Sequence, residues 1–522
     1  MRFRGVLAIT MIFLISVPGC GYMGDEMGGV VAPGYYNEED NQWVYDDVDG
    51  DKYEAVGTNP FVMTSGDPQS TFAADVDTAS YDIFRRDAKM NTLPKKESVR
   101  LEEFVNYFSY AYPAPPADSE TPFKITLRGA PSAYSPTTLF AVGIKGRELL
   151  EEKKQANLVF LVDVSGSMSS ANKLPLLKTM LVESLSILDS EDTISLVTYA
   201  SGVRVVLPPT SVANAETIST AINNLKAGGA TSGGAGIDLA YEQAMAAFIP
   251  GGVNHVLLCT DGDFNVGASS NADLLKLIEE KRKSGVTLTV LGFGSGNLND
   301  SMMETISNAG NGIYAVITDA DQAIAYVNNR LLSTFNQIAK DVKIQVEFNA
   351  DHVFAYRLLG YENRALEDDQ FIDDKVDAGE VGAGHTVTAL YELVLTGGGV
   401  PEAQGAPAMF LGKGSDTELT VAAEELARVK IRYKAPDATE DDGATQIEAG
   451  FVSENIAASF EKADPDLQWA ASVAAFAEIL KQSPYANTVA VQTISTTMAK
   501  HAGTDADRLE FVGLLATALS LL

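Results

Sequence analysis

The chain has 522 residues, 46% of them hydrophobic, and a formal net charge of −32. That length suggests about three domains, each able to bury a core. The acidity, without any basic stripe, excludes nucleic acid as a partner and describes a self-repelling, soluble body.

Arg2 and Arg4 precede an apolar run from Val6 to Val17, followed by Gly19-Cys20. This is the charged-then-apolar pattern of a signal peptide, residues 1–20. As a helix the run would reach roughly 18 Å, short for a bilayer core of about 30 Å. Val17-Pro18-Gly19-Cys20 resembles a bacterial lipobox, with Pro18 a departure at a position that tolerates variation. The resemblance implies cleavage before Cys20 and acylation of that residue, with more than one chain for stable anchoring. The implied location is the bacterial cell envelope, lipid-anchored and extracytoplasmic. Gly21 is not the aspartate that retains some lipoproteins in the inner membrane, which points to an outer membrane where one exists. The alternative is an ordinary secretory signal with an incidental cysteine.

Residues 21–70 are rich in glycine, tyrosine and acids and have little to bury, so a flexible acidic tether is expected. Asp47-Val48-Asp49-Gly50-Asp51 fails as a calcium loop. Its glycine is fourth instead of sixth, and Thr58 stands where the twelfth-position glutamate belongs.

The folded body is expected from about Ser70. Thr71 to Tyr81 reads as a short strand and an acid-rich turn, with helical spacing through Arg86 and again from Ser98 to Phe108. Asp75-Val76-Asp77 lacks the threonine two residues later that a haloacid-dehalogenase-type site needs, since Ala79 is there. A capping or interdomain role is expected for it. Phe123–Leu127 and Leu139–Ile144 read as strands, closing a region that spans 71–156.

Leu158 to Val162 reads as a buried strand, and Asn172 to Leu188 as a helix. Between them lies Asp163-Val164-Ser165-Gly166-Ser167. A carboxylate and two hydroxyls at alternate positions of a strand-to-helix loop can converge on a hard cation at the carboxyl edge of a sheet. Two later loops fit the same plan, Gly228 to Gly234 around Thr231 and Thr260-Asp261-Gly262 after an apolar strand. Strands and helices then alternate to Ser333, implying a mainly parallel sheet covered on both faces. Gly292-Phe293-Gly294-Ser295-Gly296 has its third glycine one residue early for a dinucleotide loop and reads as another carboxyl-end loop.

These three pieces, in this order, resemble the metal-ion-dependent adhesion site (MIDAS) of von Willebrand factor type A (VWA) domains. The resemblance implies a Rossmann-like, doubly wound fold over 157–333. It also implies that Asp163, Ser165, Ser167, Thr231 and Asp261 hold Mg²⁺, or Mn²⁺ or Ca²⁺. The bland reading of the same residues is turns and helix N-caps.

After 333 the period changes. Val342–Phe348, Val353–Leu359, Thr386–Leu395 and Ala427–Tyr433 read as strands of a β-rich region, 334–450. The strands before Asn157 are expected to join them in one β-sandwich, with the VWA domain inserted. The rival is two separate β pieces. Residues 451–522 read as helical, with Asp466–Lys481 and Arg508–Leu521 apolar enough for a cap on the body. The overall order is similar to a bacterial family of VWA lipoproteins, the YfbK-like proteins, which carry an N-terminal VWA-associated region and a C-terminal domain.

The function implied is metal-dependent binding, in which the Asp or Glu of an unidentified protein partner completes the ion's coordination. The alternative is an envelope scaffold with a vestigial metal site. A hydrolase finds little support, and no enzyme activity is expected. The four histidines, His255, His352, His385 and His501, lie in no catalytic motif, and there is no GxSxG elbow. Cys259, in an apolar strand, reads as a small buried hydrophobe.

Overall fold

The structure is a computed structural model. It describes residues 34–37, 42–45, 50–116, 118–148, 154–230, 234–262, 271–405, 409–412, 419–439 and 442–522. The apolar leader and Cys20 lie outside the described residues. The chain divides into Met1–Asp49 and Gly50–Leu522. In the first unit β1 (Gly34–Asn37) and β2 (Gln42–Tyr45) form an antiparallel hairpin.

The second unit begins twenty residues before the expected Ser70, and this corrects the tether expected over 21–70. β3 (Phe61–Met63) and β4 (Gln69–Ala73) pair with strands from far along the chain. Phe61 is fully buried against Ala355 and Val394. A three-residue strand added to an existing sheet draws its stability from that partner, so local composition does not reveal it. Helices α1 (Ala79–Lys89) and α2 (Leu101–Asn106) follow, then β5 (Phe123–Pro131) and β6 (Thr138–Gly146).

The domain that resembles a VWA domain comes next. Its elements are β7 (Ala156–Asp163), α3 (Leu174–Glu183), β8 (Thr193–Tyr199), β9 (Val203–Ser211), α4 (Ala215–Asn223) and α5 (Gly234–Ala246). They continue with β10 (Val253–Thr260), α6 (Asn271–Arg282), β11 (Thr287–Phe293), α7 (Asp300–Ala309), β12 (Tyr314–Ile317), α8 (Ala320–Tyr326) and α9 (Leu332–Phe335). The sheet order is β12-β11-β10-β7-β8-β9, parallel except for β9. Side chains alternate along β7. Leu158, Phe160 and Val162 join α3, α4 and α8 on one face, while Val159 and Leu161 join α5, α6 and α7 on the other. A strand buried on both faces is apolar throughout, which is why it reads as an unbroken run.

The chain re-enters the frame at β13 (Gln337–Phe348) and continues through β14 (Val353–Leu359), β15 (Gly379–Gly382), β16 (Thr386–Leu395), β17 (Met409–Phe410), β18 (Glu425–Lys434) and β19 (Thr445–Val452). One sheet runs β17-β3-β14-β16-β6-β5, and the other runs β15-β13-β18-β19 with β4 beside β13. β6 pairs with β16 from Thr138 to Lys145, so the strand before the VWA domain and the strands after it share one sheet. The VWA domain is therefore an insertion in a β-sandwich. The insertion was expected to show as pairing of Phe123–Leu127 with a strand after 340; that pairing is absent, since β5 is an edge strand whose ladder partner is β6, and the link to the later strands is made by β6 with β16 instead.

β6 also explains the carboxy-terminal helices. Phe140, Val142 and Ile144 point into the sandwich. Leu139 and Ala141 point out, onto α10 (Pro465–Lys481), α11 (Val491–His501) and α12 (Ala506–Leu519). The same core takes Phe84 of α1, Phe104 of α2 and Phe108, with Phe108 edge-on to Trp469 at 5.1 Å. Residues 71–156, 334–450 and 451–522 are thus interleaved parts of one frame. The sequence marks them only as three successive regions, because core partners far apart in sequence leave no local signal.

Candidate metal centre

In the sheet order, β7 and β10 lie side by side, Val162 opposite Cys259. The chain leaves β7 to cross one face through α3 and reaches β10 through α5 on the other face. Their carboxyl ends flank the crevice where crossovers diverge, the place such sheets bind ligands. Asp163 ends β7, and Asp261 follows β10. Both are fully buried, Ser165 is buried, and Ser167 and Gly166 are exposed.

Local hydrogen bonds hold this geometry. Asp163 Oδ1 accepts from the Ser165 N–H at 2.8 Å, and Asp163 Oδ2 accepts from Thr260 Oγ1 at 3.3 Å. Ser165 Oγ and Ser167 Oγ are 2.9 Å apart. Gly262 has φ +97°, and a Cβ there would meet the Asn299 nitrogen at 2.5 Å, so only glycine lets the chain turn away beneath Asp261. The Gly228 N–H donates to Val164 O at 2.8 Å, and the Gly166 N–H to Gly229 O at 2.9 Å. Those two bonds tie the exposed Gly228–Ala230 loop to the first loop. Thr231, the next residue, lies outside the described residues.

The two carboxylates differ in how tightly they hold a proton. Burial first, then the charge of Asp261, push the Asp163 carboxyl up to about 6, against hydrogen bonds from Ser165 and Thr260. Asp261 is also penalised by burial, but hydrogen bonds from Asn297, Ser167 and Lys173 outweigh that and hold it below the usual range. Lys173, on the turn before α3, is buried with Nζ 3.0 Å from Asp261 Oδ2 and 2.7 Å from Asn297 Oδ1. The loop carrying Asn297 is fastened by Asp51, which accepts from the N–H groups of Gly296 at 2.7 Å and Leu298 at 2.9 Å and pairs with Arg86 at 2.8 Å. Lys173, Asn297 and Asp51 are the site residues that sequence reasoning missed. Each is a common residue on a turn, and only the glycine-rich 292–296 segment marked one of these loops.

Comparison with known proteins agrees with this architecture. Residues 157–330 match the family model for the von Willebrand factor type A domain, residues 47–141 one described as von Willebrand factor, and residues 333–521 one described as uncharacterized protein YfbK, C-terminal. YfbK of Escherichia coli (strain K12) is 37% identical over 478 residues, 90% of this chain and 81% of its own. This chain belongs to the YfbK family. The protein sll0103 of Synechocystis sp. is 29% identical over 168 residues, 32% of this chain and 39% of its own. Among solved structures, a von Willebrand factor type A protein from Catenulispora acidiphila covers 76% of this chain and 88% of its own, at 17% identity and a TM-score of 0.42.

The donor set of this YfbK-family chain fits a divalent cation. Asp163, Ser165, Ser167 and Asp261 converge and offer only oxygen, the ligand type that Mg²⁺, Mn²⁺ and Ca²⁺ take. A buried carboxylate that accepts hydrogen bonds from neutral donors is poorly compensated, and Asp163 accepts from the Ser165 N–H and the Thr260 hydroxyl. Two other titratable side chains of β10 are buried in their neutral forms. His255 Nδ1 lies 2.6 Å from Thr287 Oγ1, and burial pushes its imidazole down to about 3, so it stays neutral at ordinary pH. Cys259 is fully buried, and burial pushes its thiol far up, the opposite of an activated nucleophile.

Proposed function

We propose that the chain is a membrane-anchored, extracytoplasmic binding protein whose VWA domain engages an acidic group of a protein partner through a divalent ion, Mg²⁺ or alternatively Mn²⁺ or Ca²⁺. The ion would be held by Asp163, Ser165, Ser167, Thr231 and Asp261. A lipid anchor on Cys20 would hold the chain in the cell envelope. The observation that carries the reading is the pair Asp163 and Asp261, buried side by side under an exposed rim of serine and glycine.

The charge balance suits this role. Lys173 offsets Asp261, so the two carboxylates and one ammonium leave one net negative charge among them. A divalent ion would supply a Lewis-acidic, net positive centre able to draw a carboxylate from an otherwise acidic surface. Ser165 and Ser167 are neutral and leave that charge intact. Asp163 and the backbone bonds at Gly166 and Gly228 orient the loops, and Lys173 with Asn297 keeps Asp261 ionised.

A second reading, a scaffold whose metal site is vestigial, draws on the same lysine, an internal cation already resting on Asp261. Capture from envelope extract separates the two. Full-length protein in Mg²⁺ retains partners that are released by chelator and are absent with Asp163→Ala. Retention unchanged by chelator and by the substitution supports the scaffold.

A further inference from the structure

A second group of acids gathers where the VWA domain returns to the frame. Asp341 interrupts β13 with φ +53°, and the register of β13 slips there against both β15 and β18. Such an irregularity bends a strand and re-aims its side chains. It brings Asp341 to Asp377 and to Glu380 of β15, so that one carboxylate oxygen from each lies within 4.8 Å of the other two.

Glu380 is 9% exposed, and its Oε1 is buried with no hydrogen-bond partner. A buried carboxylate oxygen left in this way is costly unless something charged completes it. The described cations nearby serve its neighbours. Arg282 of α6 reaches Asp377 at 2.6 Å, and Lys434 Nζ stands 3.7 Å from Asp341. Burial and the charges of Asp377 and Asp341 push the Glu380 carboxyl well above its ordinary range, and Arg282 and Arg364 pull only partly the other way. β15 has little freedom to relieve the crowding. Gly379 lies so close to Ala74 that an added Cβ would sit 1.9 Å from its carbonyl oxygen.

We propose that Asp341, Asp377 and Glu380 form a second cation site that takes a calcium-class divalent ion. Three carboxylates offer hard oxygen only. Ca²⁺ accepts six to eight such ligands in irregular geometry and completes its shell with water. The Asp377 side chain is 44% exposed, which gives an ion and its water a way in. An ion here would compensate Glu380 and join the strand leaving the VWA domain to β15 of the frame, beside the Asp377–Arg282 bridge to α6. The site shares no residue with the Asp163 centre and does not depend on it.

The test is calorimetric titration of Ca²⁺ into the full-length chain carrying Asp163→Ala, with melting followed in parallel. That background removes a ligand of the first centre. The expected result is saturable binding of one ion that raises the melting temperature. Asp377→Asn should weaken the affinity on the order of tenfold or more. Glu380→Gln should abolish the calcium-dependent rise. Asp377 is half-exposed, so its variant remains informative if Glu380→Gln folds poorly. The proposal is overturned if several millimolar Ca²⁺ gives no binding, or if both variants bind as the parent does. Lack of binding with a higher melting temperature in Glu380→Gln would show a carboxyl simply held protonated, which also overturns it.

Discussion

The molecule treats its buried acids in two ways. Where the frame grips the VWA domain, guanidinium groups meet them. Arg100, 1% exposed, pairs with Glu103 and with Asp300 of α7, its Nη2 lying 3.2 Å from Asp300 Oδ1. Arg364 reaches Asp77 at 2.8 Å and Asp75 at 3.1 Å, and Asp77 also accepts the Tyr314 N–H of the edge strand β12 at 2.7 Å. At the candidate metal centre, by contrast, Asp163 receives a backbone N–H and a hydroxyl. The junction sets a guanidinium against each of these acids, two acids to one arginine, and acts as a fastener. The centre leaves Asp163 buried on neutral donors, which suits the cation proposed for it. The difference teaches that burial alone does not mark a binding site. The kind of partner a buried acid receives narrows the choice.

Breaking the fastener should have the largest effect. Arg100→Met leaves Glu103 and Asp300 buried without their guanidinium, and removal of one member of a buried ion pair costs about 3–5 kcal/mol. Urea denaturation of the full chain should show a loss of that order. A loss under about 1 kcal/mol would mean that the two acids take up protons at little cost. Then the contrast between junction and centre would fail.

The centre should respond in the opposite direction. The folded Asp163 carboxyl sits at about 6, above its unfolded range. A raised carboxyl favours the folded state below about pH 4, and that contribution is lost as pH rises through about 6. In chelator at pH 7, ionised Asp163 then costs on the order of 3 kcal/mol, and Asp163→Asn should recover about 1–3 kcal/mol of stability. The gain should vanish at pH 4. Melting curves at the two pH values check this, and an Asp163→Asn protein less stable than the parent at pH 7 would contradict it.

Part of this was legible in the sequence. The adhesion-site loop, Thr260-Asp261-Gly262 and the alternating elements around them are contiguous, and each strand of the parallel sheet announces itself by its apolar run. The insertion could also be inferred, because the period changes on either side of the VWA domain. The frame's details could not. β3 pairs with β14, and Asp75 and Asp77 meet Arg364 across most of the chain. Such contacts leave no periodicity. Asp75 and Asp77 were expected to cap or to bridge domains, and they bridge. Lys173 falls in the stretch that reads as a helix from Asn172, and nothing local marks it as the partner of Asp261. Its role depends on a loop, 294–299, whose position no local pattern specifies.

The most direct test of the central claim is calorimetric titration of Mg²⁺ into the full-length protein at pH 7.5, beside Asp163→Ala. The account predicts saturable binding of one ion that disappears in the variant, while circular dichroism shows the same fold for both. Mg²⁺ binding that Asp163→Ala leaves unchanged, or none at all in the parent at several millimolar, would contradict it.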